Sequence, residues 1–305
     1  MTIQQKLQTI QALTGKTQEV LARELGVSFV AFNAWFNGKA QPRPGASARI
    51  NALYAKVGGE SMPAGSFLDA KKQIIKKLNH KHPNVLKKIL TRTDLHDEFM
   101  LALTFHTNRI EGSTVTKGES AAIMFDHVVL SNRSLVEQQE VKNHQAALDY
   151  LLHHLHSGLR IDEVLILRLH SILLNAIQAD AGSYRQHAVR IVGANIPTAN
   201  YLKVPVLMKS LSSGLEKKAP DSIAAIADVH ARFEQIHPFA DGNGRIGRLL
   251  ITAMLLRANI APAIIEARQR QAYMRSLNVA QMTSDSMQLQ EFLCDAVLKG
   301  YALFE

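Results

Sequence analysis

Two amphipathic segments separated by a short glycine-containing turn constrain this sequence more than any other feature. In residues 222–236, apolar side chains recur every three or four positions, which predicts a helix, and Pro238 prevents its continuation. A second amphipathic helix is predicted to begin near Arg245, so residues 241–244 form the intervening turn. The pattern therefore predicts a helix–loop–helix in which His237 lies at a helix end.

The turn has the composition of an anion-binding loop. The backbone N–H groups of Gly242, Asn243 and Gly244 can turn inward and add to the positive end of the following helix, which favours phosphate. Arg245 and Arg248 lie one helical turn apart, and each offers fork-shaped donors to phosphate oxygens. These residues together predict a phosphate-binding site.

Two further side chains supply chemistry beside this loop. Asp241 carries the hard oxygen ligand that Mg²⁺ prefers. His237 has an unperturbed pKa of about 6.5, which suits a base that takes a proton from a hydroxyl near neutral pH. Each part alone also suits a cap, a turn or a solvated surface residue. Their joint occurrence within residues 237–248 favours a catalytic site.

The complete segment resembles the motif of a known enzyme family. Residues 237–248 read HPFADGNGRIGR, which fits the Fic motif HxFx(D/E)GNGRxxR at every fixed position. The resemblance extends over roughly residues 95–300, including residues 181–185 and the helices around the motif. It implies a mainly α fold, an all-helical Fic core with a small β-hairpin flap.

By position, the resemblance implies a role for each motif residue. His237 would be the catalytic base and Asp241 the Mg²⁺ ligand. The implied ATP-binding residues are Gly242, Asn243 and Gly244, as the anion hole for the α- and β-phosphates, and Arg245 and Arg248, the latter nearest the γ-phosphate. The implied function is a protein adenylyltransferase that transfers AMP from ATP to a Ser, Thr or Tyr hydroxyl of a target protein. Transfer of a phosphate or of another nucleoside monophosphate stays open.

Residues 189–205 interrupt the helical pattern, because they begin with β-branched alternation and contain glycine, asparagine and proline. They predict an irregular β-hairpin. The resemblance implies that this hairpin, residues 190–205, is the flap that receives an extended target segment by strand addition. The implied target-docking residues are Ile191, Val192 and Gly193.

An upstream segment resembles the inhibitory motif of the same family. Residues 107–112 read TNRIEG, which fits (S/T)xxxE(G/N) in the class that carries it N-terminal to the Fic motif. Glu111 could then pair with Arg248 through a carboxylate–guanidinium contact and occupy the place of the γ-phosphate. The enzyme would be autoinhibited. In some relatives the same glutamate positions a water that removes AMP, so AMP removal stays open as a second role.

The N-terminus has the pattern of two short helices across a tight turn. Residues 17–25 predict the first helix with Gly26 as its stop, and Ser28 is a suitable N-cap for the second, which Gly38 follows. The string resembles the helix-turn-helix of phage-repressor-like regulators over about the first 57 residues.

Two kinds of partner suit this segment. Such a fold would bind DNA through residues 16–49, with Asn33 at a base edge. The cations placed to meet phosphates are Lys16, Arg23, Lys39 and Arg43. Phe29, Val30 and Phe32 instead read bases poorly and suit a protein partner. The alternative function is thus a DNA-binding transcriptional regulator in which the Fic core serves as a sensor or assembly domain.

Charge and glycine content indicate how the chain is divided. In the first 100 residues, 15 lysines and arginines stand against 7 aspartates and glutamates, which accounts for most of the net charge of +9. Glycine and proline in residues 58–65 indicate a linker. We expect a helix-turn-helix domain in residues 1–57, a linker and connecting helix in 58–94, and the Fic core in 95–305, with the inhibitory helix at 107–112.

Three remaining expectations concern the surface, the compartment and the lone cysteine. A basic run is interpreted as the solvated face of a helix; it consists of Lys71, Lys72, Lys76, Lys77, Lys81, Lys87 and Lys88. No apolar run approaches the roughly 20 residues of a membrane span, so a cytoplasmic protein without a membrane partner is expected, and a homo-oligomer stays open. Cys294 excludes an internal disulfide and is expected to be buried.

Overall fold

The computed structural model describes residues 2–59, 66–190, 196–216 and 219–305. The helices of the first half are α1 (Ile3–Thr14), α2 (Gln18–Glu24), α3 (Phe29–Phe36), α4 (Pro44–Gly59), α5 (Ser66–Lys81), α6 (Val85–Thr91), α7 (Thr93–Ile110) and α8 (Lys117–Phe125). Those of the second half are α9 (Leu135–His156), α10 (Glu163–Leu173), α11 (Val204–Ser212), α12 (Ser222–Ile236), α13 (Asn243–Arg257), α14 (Arg270–Thr283) and α15 (Met287–Ala302). The described residues contain no β-strand, so the mainly α fold is confirmed.

The four N-terminal helices enclose a small hydrophobic core. The side chains of Thr17 and Ser28 accept hydrogen bonds from the N–H groups of Val20 and Ala31, so both act as N-caps of α2 and α3. The core consists of Leu7, Ile10, Leu21, Ala22, Leu25, Phe32, Ile50 and Val57. Both predicted helices are present within a residue or two of their expected ends.

These helices pack directly onto the rest of the chain. α1 lies against α5, and α5 lies against α15. The side-chain amide of Gln5, which is buried, donates to the carbonyl oxygen of Leu298 at 2.6 Å. The rings of Tyr54 and Phe67 meet at 5.3 Å between centroids. The connecting helix α5 is therefore part of the packed body.

Helices α12 and α13 occupy the interior of the larger helical assembly. α12 contacts α11, α13, α14 and α15, while α13 contacts α7, α9 and α10. Most side chains of α13 are buried, including Arg245 and Arg248. The helix begins at Asn243, two residues before the predicted start near Arg245. A surface helix would leave these arginines solvated, whereas this position places them inside the protein.

The β-hairpin predicted for residues 190–205 is not confirmed. Residues 191–195, with the expected docking residues Ile191, Val192 and Gly193, lie outside the described residues. Farther on, Tyr201–Lys203 forms a 3-10 helix and Val204 begins α11, with Pro205 in its first turn. Proline is well tolerated there because the first-turn N–H has no helical partner, so Val204 and Pro205 start a helix at the end of the predicted hairpin.

The basic run is only partly the solvated face that the sequence predicted. Lys71 is 1% exposed, and its ammonium group donates to Glu291 at 2.9 Å and to Asp295 at 3.0 Å. Lys72 forms an ion pair with Asp221. Two acidic residues on α15 thus draw Lys71 into the contact between α5 and α15, since a buried cation requires such partners.

The single cysteine lies in the core. Cys294 is buried, as predicted, and burial raises the pKa of its thiol to about 12. Among the helices of the described residues, none has the length and apolar character needed to cross a membrane.

Gly300 of α15 packs tightly against the backbone at Pro262, which generates a stability prediction. A Cβ atom at this position would overlap the carbonyl oxygen of Pro262, which belongs to the backbone and cannot rotate away. We expect Gly300→Ala to lower the free energy of unfolding by about 1–3 kcal/mol. Chemical denaturation of the purified variant measures this change.

Gly118 provides the matched control, because it also lies in a helix but has no atom within 4 Å of an added Cβ. We expect Gly118→Ala to be neutral or to stabilise by up to about 1 kcal/mol. Equal effects of the two substitutions would contradict the packing at Gly300.

Candidate functional site

His237 ends α12 in an unusual backbone conformation. The residue is the C-cap of the helix with φ 50° and ψ 63°, and its N–H donates to the carbonyl oxygen of Phe233 at 2.9 Å. The left-handed region is costly for a residue with a Cβ. Because Pro238 follows, the chain must leave the helix axis here. This reversal aims the histidine at the loop before α13.

Arg185 holds this reversal in place. Its guanidinium is 3% exposed and donates to the carbonyl oxygens of His237 at 2.7 Å and Ile236 at 3.3 Å. Its Nη1 donates to the carbonyl oxygen of His187 at 2.8 Å, and its Nη2, which also donates to Ile236, donates to that of Ala199 at 2.5 Å. A planar cation thus satisfies carbonyl groups that the end of α12 would otherwise leave unpaired.

The imidazole of His237 has one nitrogen available for proton transfer. Its Nδ1 lies 3.2 Å from the carbonyl oxygen of Glu234. When Nδ1 donates its proton to this carbonyl, Nε2 carries a free lone pair. Burial lowers the pKa of His237 below its usual value, and Arg185 lowers it further, although the hydrogen bond to Glu234 opposes both. The ring is therefore a neutral base at pH 7.

The loop after His237 is closed by the side chain of Asn243. Its Oδ1 accepts from the N–H of Phe239 at 2.9 Å, and its Nδ2 donates to the carbonyl oxygen of the same residue at 2.9 Å. Asn243 is 2% exposed and Phe239 is fully buried. The asparagine side chain thus fixes the loop from inside and leaves only its backbone N–H for an anion.

A second histidine supports the loop from below. His170 accepts from the N–H of Gly182 at 2.8 Å through Nδ1, so its Nε2 donates to the carbonyl oxygen of Asp241 at 3.1 Å. Its ring stacks on Phe239 at 3.7 Å between centroids. Gly242 adopts φ 78°, where a side chain is strained, and a Cβ there would lie 3.2 Å from Leu174. This position requires glycine.

Arg245 and Asp241 brace each other at the edge of the loop. Arg245 is 3% exposed and donates to Glu140 at 2.7 Å and to Asp241 at 3.1 Å. The Asp241 carboxylate, whose side chain is 53% exposed, also accepts from Gln178 at 3.3 Å. Arg245 therefore forms ion pairs with two carboxylates, whereas the sequence predicted that it contacts phosphate directly.

Arg248 is held by Thr107 of α7 and by Glu111, the C-cap of that helix. Its Nε donates to the hydroxyl of Thr107 at 2.7 Å, and its Nη2 forms an ion pair with Glu111. The arginine is 8% exposed, whereas the Glu111 side chain is 38% exposed. Burial opposes ionisation of Glu111, but Arg248 reverses that effect and holds the pKa of the carboxyl below its usual value. The pair is therefore ionised at pH 7.

The Glu111 carboxylate also lies directly over the anion loop. A Cβ added to Gly244 would meet Oε1 of Glu111 at 2.5 Å and Nη1 of Arg248 at 3.1 Å. The carboxylate thus occupies the space in front of the first turn of α13. That space is the place a bound anion would take at the positive end of this helix.

These residues line a cleft of about 440 Å³. Its wall includes His237, Asp241, Gly242, Asn243, Gly244, Arg248, Glu111, Arg190, Arg270 and Glu234, with Ile110, Tyr273, Met274 and Leu277 on the apolar side. The structure therefore brings the predicted loop residues together in one cleft, whereas the side chain of Arg245 is paired with Glu140 and Asp241. Of the expected docking segment, Arg190 is described and reaches the cleft.

Several cleft residues were not found from the sequence. Arg270 begins α14, and its Nε donates to the carbonyl oxygen of Ile110 at 2.8 Å, next to Glu111. Glu234 is 6% exposed, one turn before His237. A charged residue on the apolar stripe of α12 was the available signal for Glu234, whereas nothing in the pattern near Arg270 indicated its position.

Comparison with known proteins assigns this region to a family. Residues 160–255 match the Fic/DOC family. The chain is 32% identical over 208 residues to the protein adenylyltransferase fic-1 of Caenorhabditis briggsae, covering 66% of this chain and 39% of that protein. It is 30% identical over 204 residues to the protein adenylyltransferase Fic of Drosophila willistoni, covering 66% and 40%. The chain thus spans about two fifths of the curated relatives that it matches.

Solved structures share the fold. A Fic family protein from Desulfovibrio desulfuricans G20 superposes with a TM-score of 0.64 at 26% identity, covering 79% of this chain and 74% of that chain. A fragment of Fic-1 from C. elegans superposes with a TM-score of 0.67 at 23% identity, covering 93% and 83%. The buried helix–loop–helix around His237 lies inside the matched region, and residues 160–255 therefore form a Fic/DOC family domain.

Proposed function

We propose that this protein is a protein adenylyltransferase that transfers AMP from ATP to a Ser, Thr or Tyr hydroxyl of a target protein. One observation carries the proposal: the neutral imidazole of His237 and the helix-end loop 242–244 face one cleft that also contains Arg248. The curated relatives are named protein adenylyltransferases, which supports the proposal. A base beside a phosphate-binding loop is what this transfer needs.

The proposed step moves one proton and exchanges one bond to phosphorus. Nε2 of His237 takes the proton of the target hydroxyl, whose oxygen attacks the α-phosphorus of ATP. A new oxygen–phosphorus bond forms, the bond to the bridging oxygen breaks, and pyrophosphate leaves. The N–H groups of Gly242, Asn243 and Gly244 stabilise the phosphate charge, with the positive end of α13 behind them.

Asp241 is the residue that would hold Mg²⁺. Its carboxylate faces the cleft, is half exposed, and is oriented by Arg245 and Gln178. A hard, oriented carboxylate oxygen fits this ion. Bound there, Mg²⁺ would neutralise charge on the phosphates of ATP.

The proposed resting state is inhibited by Glu111. Its carboxylate occupies both the guanidinium of Arg248 and the space in front of Gly244. The γ-phosphate of ATP would need that guanidinium, so the two anions exclude each other. Productive binding then requires Glu111 to leave, at the cost of a charge-assisted contact.

The base role predicts the effect of His237→Ala. Loss of the proton acceptor is expected to lower transfer by about 10²- to 10⁴-fold. Incorporation of labelled AMP from ATP into protein measures it. His156→Ala, which removes an exposed histidine from the end of α9, is the matched control and should transfer at the parent rate. Transfer that survives in His237→Ala would exclude this mechanism.

The inhibitory contact predicts the opposite effect for Glu111→Gly. Removing the carboxylate eliminates a charge-assisted contact of about 1.5–3 kcal/mol, so transfer is expected to rise about 10- to 100-fold. Glu111→Gln keeps the shape and loses the charge, and should also raise transfer. If neither variant is faster than the parent protein, the contact does not inhibit.

Removal of AMP is a second reaction that the same glutamate would support. Glu111 is ionised through its pairing with Arg248 and is partly exposed at the cleft. Its carboxylate could therefore orient a water towards an AMP-modified hydroxyl. Incubating a modified target with the parent protein and with Glu111→Gly separates the two roles, because an enzyme that removes AMP loses that activity with the carboxylate.

A second candidate function, DNA binding through residues 16–49, rests on the surface of α2 and α3. Phe32 is fully buried, so of the three apolar residues that favoured a protein partner only Phe29 and Val30 are exposed. Asn33 donates to Gln18 at 3.0 Å, which ties α3 to the start of α2. The side chains of Arg23, Lys39 and Arg43 are exposed around these helices. This surface supports a regulator that also carries the transferase site.

DNA binding predicts a salt-dependent shift of duplex DNA by the full chain. Each phosphate contact contributes about 0.9 to the slope of log affinity against log salt concentration. We expect Lys39→Ala or Arg43→Ala to weaken binding and reduce that slope by about one unit. Lys87→Ala, an exposed lysine on α6, is the control and should leave the slope unchanged. A slope near zero for the parent protein would contradict DNA binding.

A further inference from the structure

Glu234 carries a carboxyl group that the proposed reaction does not use. The residue is 6% exposed, and its buried Oε1 has no hydrogen-bond partner among the described residues. It nevertheless lines the same cleft as His237 and Arg248. An unpaired polar atom is costly to bury, so a group in this position points to a ligand that completes it.

The packing around Glu234 makes room for the carboxyl in particular. α12 places it one turn before His237, and a Cβ at Gly247 of α13 would overlap its Oε1. The same added atom would lie 2.9 Å from the ring of His230. Because Gly247 has no side chain, α12 and α13 approach closely there. The carboxyl group of Glu234 therefore packs against the first turns of α13, which also carry Arg248.

The charged and titratable groups around Glu234 come from each neighbouring helix. His230 lies on α12, Arg248 on α13, Glu111 at the end of α7 and Tyr273 on α14. Burial raises the pKa of Glu234 to about 8; Arg248 opposes this rise and Glu111 adds to it. Burial lowers the pKa of His230 to about 3, so no histidine cation compensates. At pH 7 the group is a neutral acid with an O–H donor.

We propose that Glu234 is a nucleotide-binding residue whose neutral carboxyl group donates a hydrogen bond to the terminal phosphate of ATP held at Arg248. The proposal rests on the transferase function proposed above and extends it to a residue outside the motif. Arg248 and Glu111 mark the place of that phosphate, and Glu234 interacts electrostatically with both. When Glu111 leaves, the phosphate replaces it and meets one cation and one neutral donor.

The pH dependence follows from the charge of each partner. The second pKa of a phosphate group is about 6, so the terminal phosphate of ATP is fully ionised above pH 8. Once Glu234 ionises, it loses its donor and repels the phosphate. Binding that requires the protonated form therefore weakens as pH rises, by about tenfold per pH unit above the pKa.

The test measures dissociation constants between about pH 7 and pH 9.5 by calorimetry. It uses the full chain carrying Glu111→Gly, which removes the competing carboxylate but leaves burial, the main cause of the raised pKa, in place. The probes are a non-hydrolysable ATP analogue with Mg²⁺, and AMP. Glu234→Gln keeps a donor that cannot ionise, and Glu234→Met removes it. Glu98→Gln, an exposed glutamate on α7, is the control for the change in net charge.

We expect the affinity for the ATP analogue to fall about fivefold from pH 8 to pH 9, and more steeply above pH 9, in the parent and in Glu98→Gln. The same affinity should not change with pH in Glu234→Gln, and in Glu234→Met it should already be about tenfold weaker at pH 7. AMP should show no such dependence, because it lacks the terminal phosphate. If Glu234→Met does not fold, the pH profile of Glu234→Gln decides.

A pH dependence that persists in Glu234→Gln, or that AMP shares, would overturn the role of Glu234 while leaving ATP binding intact. Failure of any adenine nucleotide to bind at any pH is a different result, because it contradicts the transferase proposal itself and removes the basis of this one. A purely structural glutamate would change the melting temperature of Glu234→Gln without altering its pH profile.

Discussion

The guanidinium of Arg248 is the charge around which the site is organised. It is 8% exposed, so it needs an anion, because an unpaired buried cation is strongly unfavourable. In the structure that anion is the carboxylate of Glu111 at Nη2, and the hydroxyl of Thr107 accepts from Nε of the same guanidinium. Both partners come from the end of α7, far from Arg248 in the sequence. The need to pair this one cation therefore holds the end of α7 against α13. A phosphate that displaced Glu111 would have to pair with the same guanidinium.

The loop beside this arginine keeps its shape through contacts with backbone atoms. Arg185 satisfies carbonyl groups at the end of α12, His170 donates to the carbonyl oxygen of Asp241, and the Asn243 side chain closes the turn on Phe239. Because these partners are buried, the N–H groups before α13 are oriented before any ligand arrives. Such preorganisation is what makes a loop effective in stabilising developing charge.

The sequence predicted the parts of this site that depend on local pattern. Helix α12 has its expected ends, His237 lies at its terminus, and Gly242 lies in the predicted turn, whereas Gly244 belongs to the first turn of α13. Contacts between distant segments could not be read in the same way. The pairing of Arg245 with Glu140, the burial of Lys71 and the position of Arg270 all depend on which helices become neighbours. The hairpin prediction is wrong at its end, where Val204 and Pro205 start α11, because a proline that interrupts a pattern also suits the first turn of a helix.

The contact of Glu111 with the face of Gly244 has a consequence for how such a protein can evolve. The small size of Gly244 admits the Glu111 carboxylate in the structure and, in the proposed reaction, would admit the phosphates in its place. The carboxylate and the phosphates would use the same space beside Gly244, so a larger residue at this position would exclude both. In the proposed function, substitutions on α7 can therefore change the inhibition without touching the loop, whereas a side chain at position 244 would disturb inhibition and phosphate binding together.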